Sequence, residues 1–184
     1  MEIEALKANG TWTLITLAKG KKPIGCKWVY KIKYRSYGTI ERYNARLVAK
    51  GYTQIEGMDY QETFSPAAKL ITVHCIMAIA AARNWTLHQL DVQNAFLHGD
   101  LAKEVYMLPP PGYSRHGENL VCRLNKSLYG LKQASCNWYS KFSCAIRKAD
   151  FKQSMADYSL FTRVHEDSFT AVLIYVDDMI ITCK

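Results

Sequence analysis

Apolar and polar positions along this chain alternate with two different periods, and the switches between them mark its elements. From Cys26 to Lys33 the period is two, the signature of a strand with two unlike faces. Ser36-Tyr37-Gly38-Thr39 is turn-forming, and Ile40–Ala49 reads as the returning strand of a hairpin. After Ser65-Pro66 the period lengthens, and Val73, Ile76, Met77 and Ala80 fall on one face of a predicted helix near Thr72–Asn84. Thr86–Val92 reads as a short apolar strand running into Asp91, just before a chain reversal. Pro109-Pro110-Pro111-Gly112 interrupts the pattern as a loop predicted to be exposed. A second helix is predicted over Ser135–Lys148, with Trp138, Phe142, Ala145 and Ile146 toward a core. Strands over Tyr158–Arg163, Phe169–Val176 and Met179–Thr182 complete a mixed α+β domain. No internal repeat, low-complexity tract or linker divides it.

The last two strands frame the first candidate chemistry. Leu173-Ile174-Tyr175-Val176-Asp177-Asp178-Met179-Ile180-Ile181-Thr182 sets two adjacent carboxylates between runs of β-formers, with no basic neighbour in the run. Length and period predict a tight hairpin with the acids at its tip. Asp is common in turns, so an Asp pair alone reads first as an ordinary polar turn. Charges amid apolar sequence are nevertheless costly unless something pairs with them, and a bound cation is the obvious partner. Asp91 adds a third carboxylate 86 residues earlier, also at the end of a strand expected to be buried. Three carboxylates at neighbouring strand ends would offer oxygen ligands to a hard divalent cation such as magnesium. Two such ions about 4 Å apart stabilise the attacking and leaving oxygens of an in-line phosphoryl displacement. Spacing alone does not establish that convergence.

Composition narrows the class. A chain of 184 residues that is 49% hydrophobic fits one domain of ordinary size with a real core. No uncharged apolar run approaches a membrane span, and the acidic start Met1-Glu2-Ile3-Glu4 is no secretory signal, so no membrane partner is expected. The six cysteines (Cys26, Cys75, Cys122, Cys136, Cys144, Cys183) contain no C-x-x-C pair. They read as scattered, mostly buried thiols of a reducing compartment, cytoplasm or nucleus, rather than a zinc site. The net charge of +8 is concentrated, with ten basic residues from Lys19 to Lys50 against Glu41 alone. That segment is interleaved with Trp28, Tyr30, Tyr34, Tyr37 and Tyr43, a combination suited to a phosphate backbone and stacked bases. A solvated, two-faced hairpin that is merely Lys-rich is the plainer alternative.

Six stretches together resemble the reverse transcriptase domain of copia-type long-terminal-repeat retrotransposon polyproteins. They are Gly25-Cys26-Lys27-Trp28-Val29-Tyr30-Lys31-Ile32-Lys33, Ile40–Gln54 with its Arg46-Leu47-Val48-Ala49-Lys50-Gly51-Tyr52-Thr53-Gln54, and Asp59-Tyr60-Gln61-Glu62-Thr63-Phe64-Ser65-Pro66. Gln89 to Gly99 around Asp91, Ser127-Leu128-Tyr129-Gly130-Leu131-Lys132-Gln133-Ala134 and Tyr175-Val176-Asp177-Asp178 follow in order. A Val-Asp-Asp alone is weak, whereas the ordered set runs from about Gly10 to the C-terminus and is strong.

The resemblance implies a fingers-and-palm polymerase fold, its antiparallel palm sheet backed by helices. A fingers-like basic hairpin region would span about 10–70 and the palm about 71–184, within a single partial domain. It implies an RNA-directed DNA polymerase that transfers a nucleotide from a dNTP to a primer 3′-hydroxyl with two magnesium ions, manganese being a possible substitute. Asp91, Asp177 and Asp178 would be the catalytic acids and metal ligands, Asp178 the weaker, with the Val92 carbonyl facing the nucleotide-bearing metal. Phe96 matches the residue under the incoming sugar, and Arg46, Lys33 and Arg42 are expected on the triphosphate. Tyr129, Gly130, Lys132 and Gln133, with Tyr175 and Val176, are expected against the nascent base pair, template and primer. Implied partners are an RNA or DNA template-primer and dNTPs, and a polyprotein that also holds integrase and ribonuclease H.

Three positions depart from the family pattern: Cys136 and His74 stand where Arg is usual, and Asp150 where Gly is usual. Cys cannot reproduce the donor fork of Arg. Asp150 is tolerable at a helix-ending turn if its backbone is left-handed. The chain stops six residues after Asp178, so a final palm strand, a thumb and a ribonuclease H domain are expected to be absent, and activity of this chain alone is not expected. Two readings follow: a segment of a working polymerase, or a non-catalytic relic that at most binds nucleic acid through residues 19–50. A two-metal nuclease is a distant third, since no separate water-activating base is offered.

Overall fold

Antiparallel pairing of β-strands dominates the computed structural model, which describes residues 2–113 and 120–184. The chain sorts into two compact units, Met1–Thr63 with Phe96–Asn137 and Phe64–Ala95 with Trp138–Lys184. Each unit therefore takes two separate stretches of sequence.

In the first unit α1 (Glu2–Ala8) leads to β1 (Trp12–Thr16). β1 pairs with β6 (Leu120–Leu124), which pairs in turn with β5 (Tyr106–Met107). β2 (Cys26–Tyr34) and β3 (Ile40–Ala49) form a two-stranded sheet of their own, in register from Cys26↔Ala49 to Lys33↔Arg42. An irregularity follows between Lys33 and Tyr34, and Gly38 supplies the positive φ of 86° that the turn needs. Leu47, Met107, Cys122 and Leu128 are fully buried at its core. Burial pushes the Cys26 thiol pKa up and that of Cys122 up to about 12, which leaves both inert.

The second unit is a five-stranded sheet in the order β4-β10-β9-β8-β7, built from β4 (Thr86–Asp91), β7 (Lys152–Gln153), β8 (Leu160–His165), β9 (Ser168–Tyr175) and β10 (Asp178–Cys183). Alternation along the strands gives it two faces. Helix α2 (Leu70–Arg83) lies over the face bearing Leu160, Thr162, Ala171 and Thr182. Helix α3 (Ala134–Lys148) sends Phe142 edge-on against Phe161 of the other face, with ring centroids 5.7 Å apart. The start of α2 is capped from a distant loop: the Lys69 N–H and the Thr72 hydroxyl donate to Asp157 Oδ2 at 3.0 and 2.6 Å. Ser159 donates its N–H and hydroxyl to Oδ1 at 3.0 and 2.6 Å. Burial pushes the Asp157 carboxyl pKa up, but these four donors outweigh it and hold the group at about 2.

Both hairpins, both long helices and the strand at Asp91 form within a few residues of the sequence-predicted positions. Several predicted exposures do not hold. β4 is an edge strand with every residue exposed, because β10 covers only one of its sides. Met77 and Ala145 face solvent rather than core. In α2 the reason is composition: Leu70, Ile71 and Ile79 are exposed too, so apolar residues lie all round the helix and periodicity selects no face. Pro110 of the proline loop is fully buried. Only Cys26 and Cys122 of the six cysteines are buried, while Cys75 and Cys144 are exposed. Elements α1, β1, β5, β6 and β7 are short and left no clear periodic signal. Among the described residues no helix is long and apolar enough to cross a membrane.

Candidate active site

A two-residue turn joins β9 to β10. Tyr175 pairs with Asp178, so Val176 and Asp177 form the tip and Asp178 already belongs to the strand. Val176 has a φ of 59°, a left-handed value that a β-branched residue adopts only under constraint. Two hydrogen bonds supply that constraint. Trp138 Nε1 donates to the Val176 carbonyl at 2.8 Å, and the Val92 N–H donates to the Asp177 carbonyl at 2.9 Å. The second bond ties the tip to the end of β4, where register sets Asp178 directly opposite Asp91. Cross-strand partners share a face, so Asp91, Asp178 and Tyr175 stand in one row at the end of the sheet.

Like charges directly opposite one another repel. Asp91 and Asp178 are exposed and Asp177 is half-buried, and none of the three forms an ion pair with a described cation. Gln89 Nε2 donates to Asp178 Oδ1 at a long 3.5 Å. Asp178 also borders a cavity of about 430 Å3 whose apolar walls include Leu70, Val73, Leu173 and Ile180. Among the described residues no three His, Cys, Asp or Glu side chains are gathered into a group that could hold a metal ion. The fold thus pairs Asp91 with Asp178 and fastens the Asp177 backbone to Val92, without drawing all three carboxylates into a ready-made group. The donor chemistry nonetheless fits a hard divalent cation, because the candidate ligands are all oxygens and their charge is uncompensated.

The first unit holds the other candidates. Its Leu128–Gln133 loop sits backbone to backbone against the base of the β2–β3 hairpin, with the Ala49 N–H donating to the Tyr129 carbonyl at 2.8 Å. At Gly130, φ 89°, an added Cβ would come 2.2 Å from the Ala49 carbonyl oxygen, and one at Gly51 would come 2.0 Å from the Gly130 carbonyl oxygen. Glycine is required at both. Beneath the loop, buried Gln54 accepts the Lys132 N–H at 2.9 Å and donates to Gln133 Oε1 at 3.0 Å. Gln133 donates onward to the Asp59 carbonyl at 3.2 Å. The loop so fixed presents Tyr129. Phe96 meets that ring edge-on at 4.6 Å between centroids, and the Arg46 guanidinium lies 3.9 Å from its centroid. Phe96, Tyr129 and Arg46 therefore form one column, in which Phe96 is buried and Arg46 exposed. Lys33 and Arg42 are cross-strand partners farther along the hairpin, outside the column. Lys132 is exposed and sets its ammonium 5.1 Å from the Tyr60 ring centroid.

Residues 9–184 match the family described as reverse transcriptase (RNA-dependent DNA polymerase). The chain belongs to that family. It is 45% identical over its whole length to the retrovirus-related Pol polyprotein from transposon TNT 1-94 of Nicotiana tabacum, of which it covers 14%. It is also 45% identical, over 98% of its length, to that from transposon RE1 of Arabidopsis thaliana, of which it covers 12%. The transposon Ty1-ER2 Gag-Pol polyprotein of Saccharomyces cerevisiae is 32% identical over 77% of this chain, which covers 8% of that protein. These relatives are copia-type polyproteins, and the chain spans a small fraction of their length. No solved structure matches it.

Against this reverse transcriptase family the three departures find ordinary settings. Asp150 adopts a φ of 64°, the left-handed backbone expected where Gly is usual. His74 is exposed on α2. The Cys136 thiol is half-buried, and its pKa is raised by burial and then by nearby Glu62. Sequence reasoning missed two supporting residues. Trp138 reads as core from its helical spacing, which hides its role as donor to Val176. Gln54 lies in the quoted Gly51-Tyr52-Thr53-Gln54 stretch, but a buried glutamine bridging a loop 78 residues away leaves no local signal.

Proposed function

We propose that this chain supplies the fingers and palm of an RNA-directed DNA polymerase, in which Asp91, Asp177 and Asp178 hold the divalent metal ions for nucleotidyl transfer. The observation that carries this reading is the register of β4 on β10, which opposes Asp91 to Asp178 and anchors the acidic tip through Val92. Asp91, Asp177 and Asp178 would hold the magnesium ions, which when bound would supply charge neutralisation at the phosphates and activation of the attacking hydroxyl. The chain's own residues do the positioning. Trp138 and Val92 hold the backbone of the tip through the Val176 and Asp177 carbonyls, which leaves the carboxylates as the part to be gathered when ligands arrive. Arg46, with its guanidinium 3.9 Å from the Tyr129 ring centroid, offers a fork of donors suited to a triphosphate. Phe96 would present only a ring edge to a sugar, since most of its surface is covered. Lys33 and Arg42 add positive potential along the hairpin for the template-primer.

The test is primer extension by the chain joined to the polyprotein segment that follows it, with magnesium and a primed RNA or DNA template. Metal-dependent extension that is lost in Asp177→Asn is the expected result. Salt-dependent binding of the primer-template without any extension favours the second reading, a nucleic-acid-binding relic. The absence of a ready-made metal group among the described residues is the observation on that side.

A further inference from the structure

Gln54 and Gln133 are buried in the first unit at 5% and 6% exposure, and their amides meet although 79 positions of chain separate them. The Lys132 N–H donates to Gln54 Oε1 at 2.9 Å, Gln54 Nε2 donates to Gln133 Oε1 at 3.0 Å, and Gln133 Nε2 donates to the Asp59 carbonyl at 3.2 Å. A backbone N–H can only donate and a carbonyl can only accept, so the two ends fix the direction of the whole relay. Each glutamine must then offer an oxygen to one side and an N–H to the other. An amide meets that requirement and a carboxylate does not. The surroundings of the relay are held as well. Asp59 Oδ2 accepts the Ile55 N–H at 2.8 Å, which closes the turn that carries the Asp59 carbonyl. Gly51 packs so closely that a Cβ there would come 2.9 Å from Gln54 Oε1. Among the described residues no buried side-chain nitrogen or oxygen lacks a hydrogen-bond partner, and the relay leaves neither amide idle.

Resting on the reading of Arg46 as a triphosphate ligand, we propose that Gln54 and Gln133 are positioning residues for nucleotide binding, and that the Gln133 amide faces into the fold instead of reaching the template. The relay ties Lys132 and Gln133, at one end of the Leu128–Gln133 loop, to the turn over 54–59. The Ala49 N–H ties the other end through the Tyr129 carbonyl. With both ends fixed, the Tyr129 ring keeps its contacts with Phe96, edge-on at 4.6 Å, and with the Arg46 guanidinium at 3.9 Å. Arg46 is exposed and long, and a ring that restrains it beforehand reduces the conformational entropy lost when a ligand binds. Loss of the relay frees one end of the loop and leaves the bond from Ala49 to Tyr129 in place. The chain then stays folded while Arg46 loses its fixed support. Gln133 engages both atoms of its amide with protein partners, which is why the template is assigned no contact with it.

The experiment measures stability in denaturant melts and affinity for dTTP with magnesium in the full chain, each variant against the parent at the same pH. Gln54→Met keeps the length but has no donor, and is expected to lose stability at every pH and to weaken dTTP binding by about tenfold, the worth of one charge-assisted hydrogen bond. Gln54→Glu separates the relay from packing. As a carboxylate it sets oxygen against Gln133 Oε1, whereas as a carboxylic acid it again both donates and accepts. Burial and that repulsion hold its pKa above the ordinary glutamate range, so stability and affinity should match the parent in acid and fall away as pH rises through that value. Recovery within one variant also guards against a general folding defect. Absence of any recovery in acid overturns the directed relay. If Arg46→Ala weakens dTTP binding and Gln54→Met does not, the relay is only structural, and the proposal is overturned while the triphosphate reading stands. A parent that binds no dTTP, or an Arg46→Ala variant that binds it as tightly as the parent, overturns that reading and the positioning role with it. A Gln133→Met variant that weakens primer-template binding and spares dTTP returns the amide to the template and overturns the assignment.

Discussion

The β2–β3 and β9–β10 hairpins are the same kind of element with opposite charge and opposite degrees of support. β9–β10 has a two-residue turn, lies within a five-stranded sheet and carries its charge as carboxylates at one end. Its tip is over-determined, with a left-handed valine whose carbonyl is gripped by Trp138 and a following carbonyl gripped by Val92. β2–β3 stands as a separate two-stranded sheet, fixed at its base by the Gly130 loop and in solvent beyond it. For the cation site proposed at the acids, oxygen ligands demand placement to a fraction of an ångström, and the left-handed Val176 is where the fold carries strain. For the nucleic-acid binding proposed for β2–β3, charge density on one face suffices, which tolerates motion because the Debye length is about 8 Å at physiological salt.

That contrast can be broken most sharply by activity. In the extended polymerase, Asp91→Asn should lower magnesium-dependent extension by about 10³-fold while leaving primer-template affinity and its salt slope nearly unchanged. If affinity falls in step with activity, the acids are part of the binding surface and the division of labour fails. A stability comparison comes next. Gly130→Ala should destabilise the chain by about 3 kcal/mol or more in denaturant melts, whereas Gly20→Ala, also at positive φ but with open space around it, should lose only about 1 kcal/mol. Equal losses would mean that the loop yields and that the base of the basic hairpin is not locked.

A smaller effect tests the anchoring of α2 over the acidic unit. The Asp157 carboxyl is held at about 2, below its ordinary 3.8, so its contribution is present above pH 3.8 and is lost as pH falls through the folded value. Asp157→Asn should therefore lower stability by about 2 kcal/mol at neutral pH, and the gap to the parent should close between about pH 4 and pH 2. A gap that persists unchanged at pH 2 would assign the loss to packing instead of charge. The smallest expected change is Trp138→Phe, which keeps a ring but removes the donor to Val176 and should cost about 1 kcal/mol. Faster hydrogen exchange confined to the 176–178 turn would locate that loss at the tip.

Much of this was legible from one sequence. Period-two alternation located the β2–β3 hairpin, and short runs of β-formers located β9–β10 and the strand before Asp91, because both patterns are written by neighbouring residues. The ordered motifs pointed to the reverse transcriptase family of copia-type polyproteins, and the family match bears that out. Burial was less legible: α2 is apolar all round, and β4 is exposed because of its place at the sheet edge, which no stretch of six residues records.

What the sequence by itself determined were the elements and the chemistry each carries, since hydrophobic period, turn residues and charge are properties of neighbouring residues. Tertiary structure alone decided which groups meet. Register opposed Asp91 to Asp178 across 87 positions of chain and sorted the cations and rings of one hairpin onto different faces. Backbone packing seated Gly130 on Ala49, and with it the Phe96–Tyr129–Arg46 column. These contacts depend on long loop closures and on close approach between backbones, and neither has a local period to read.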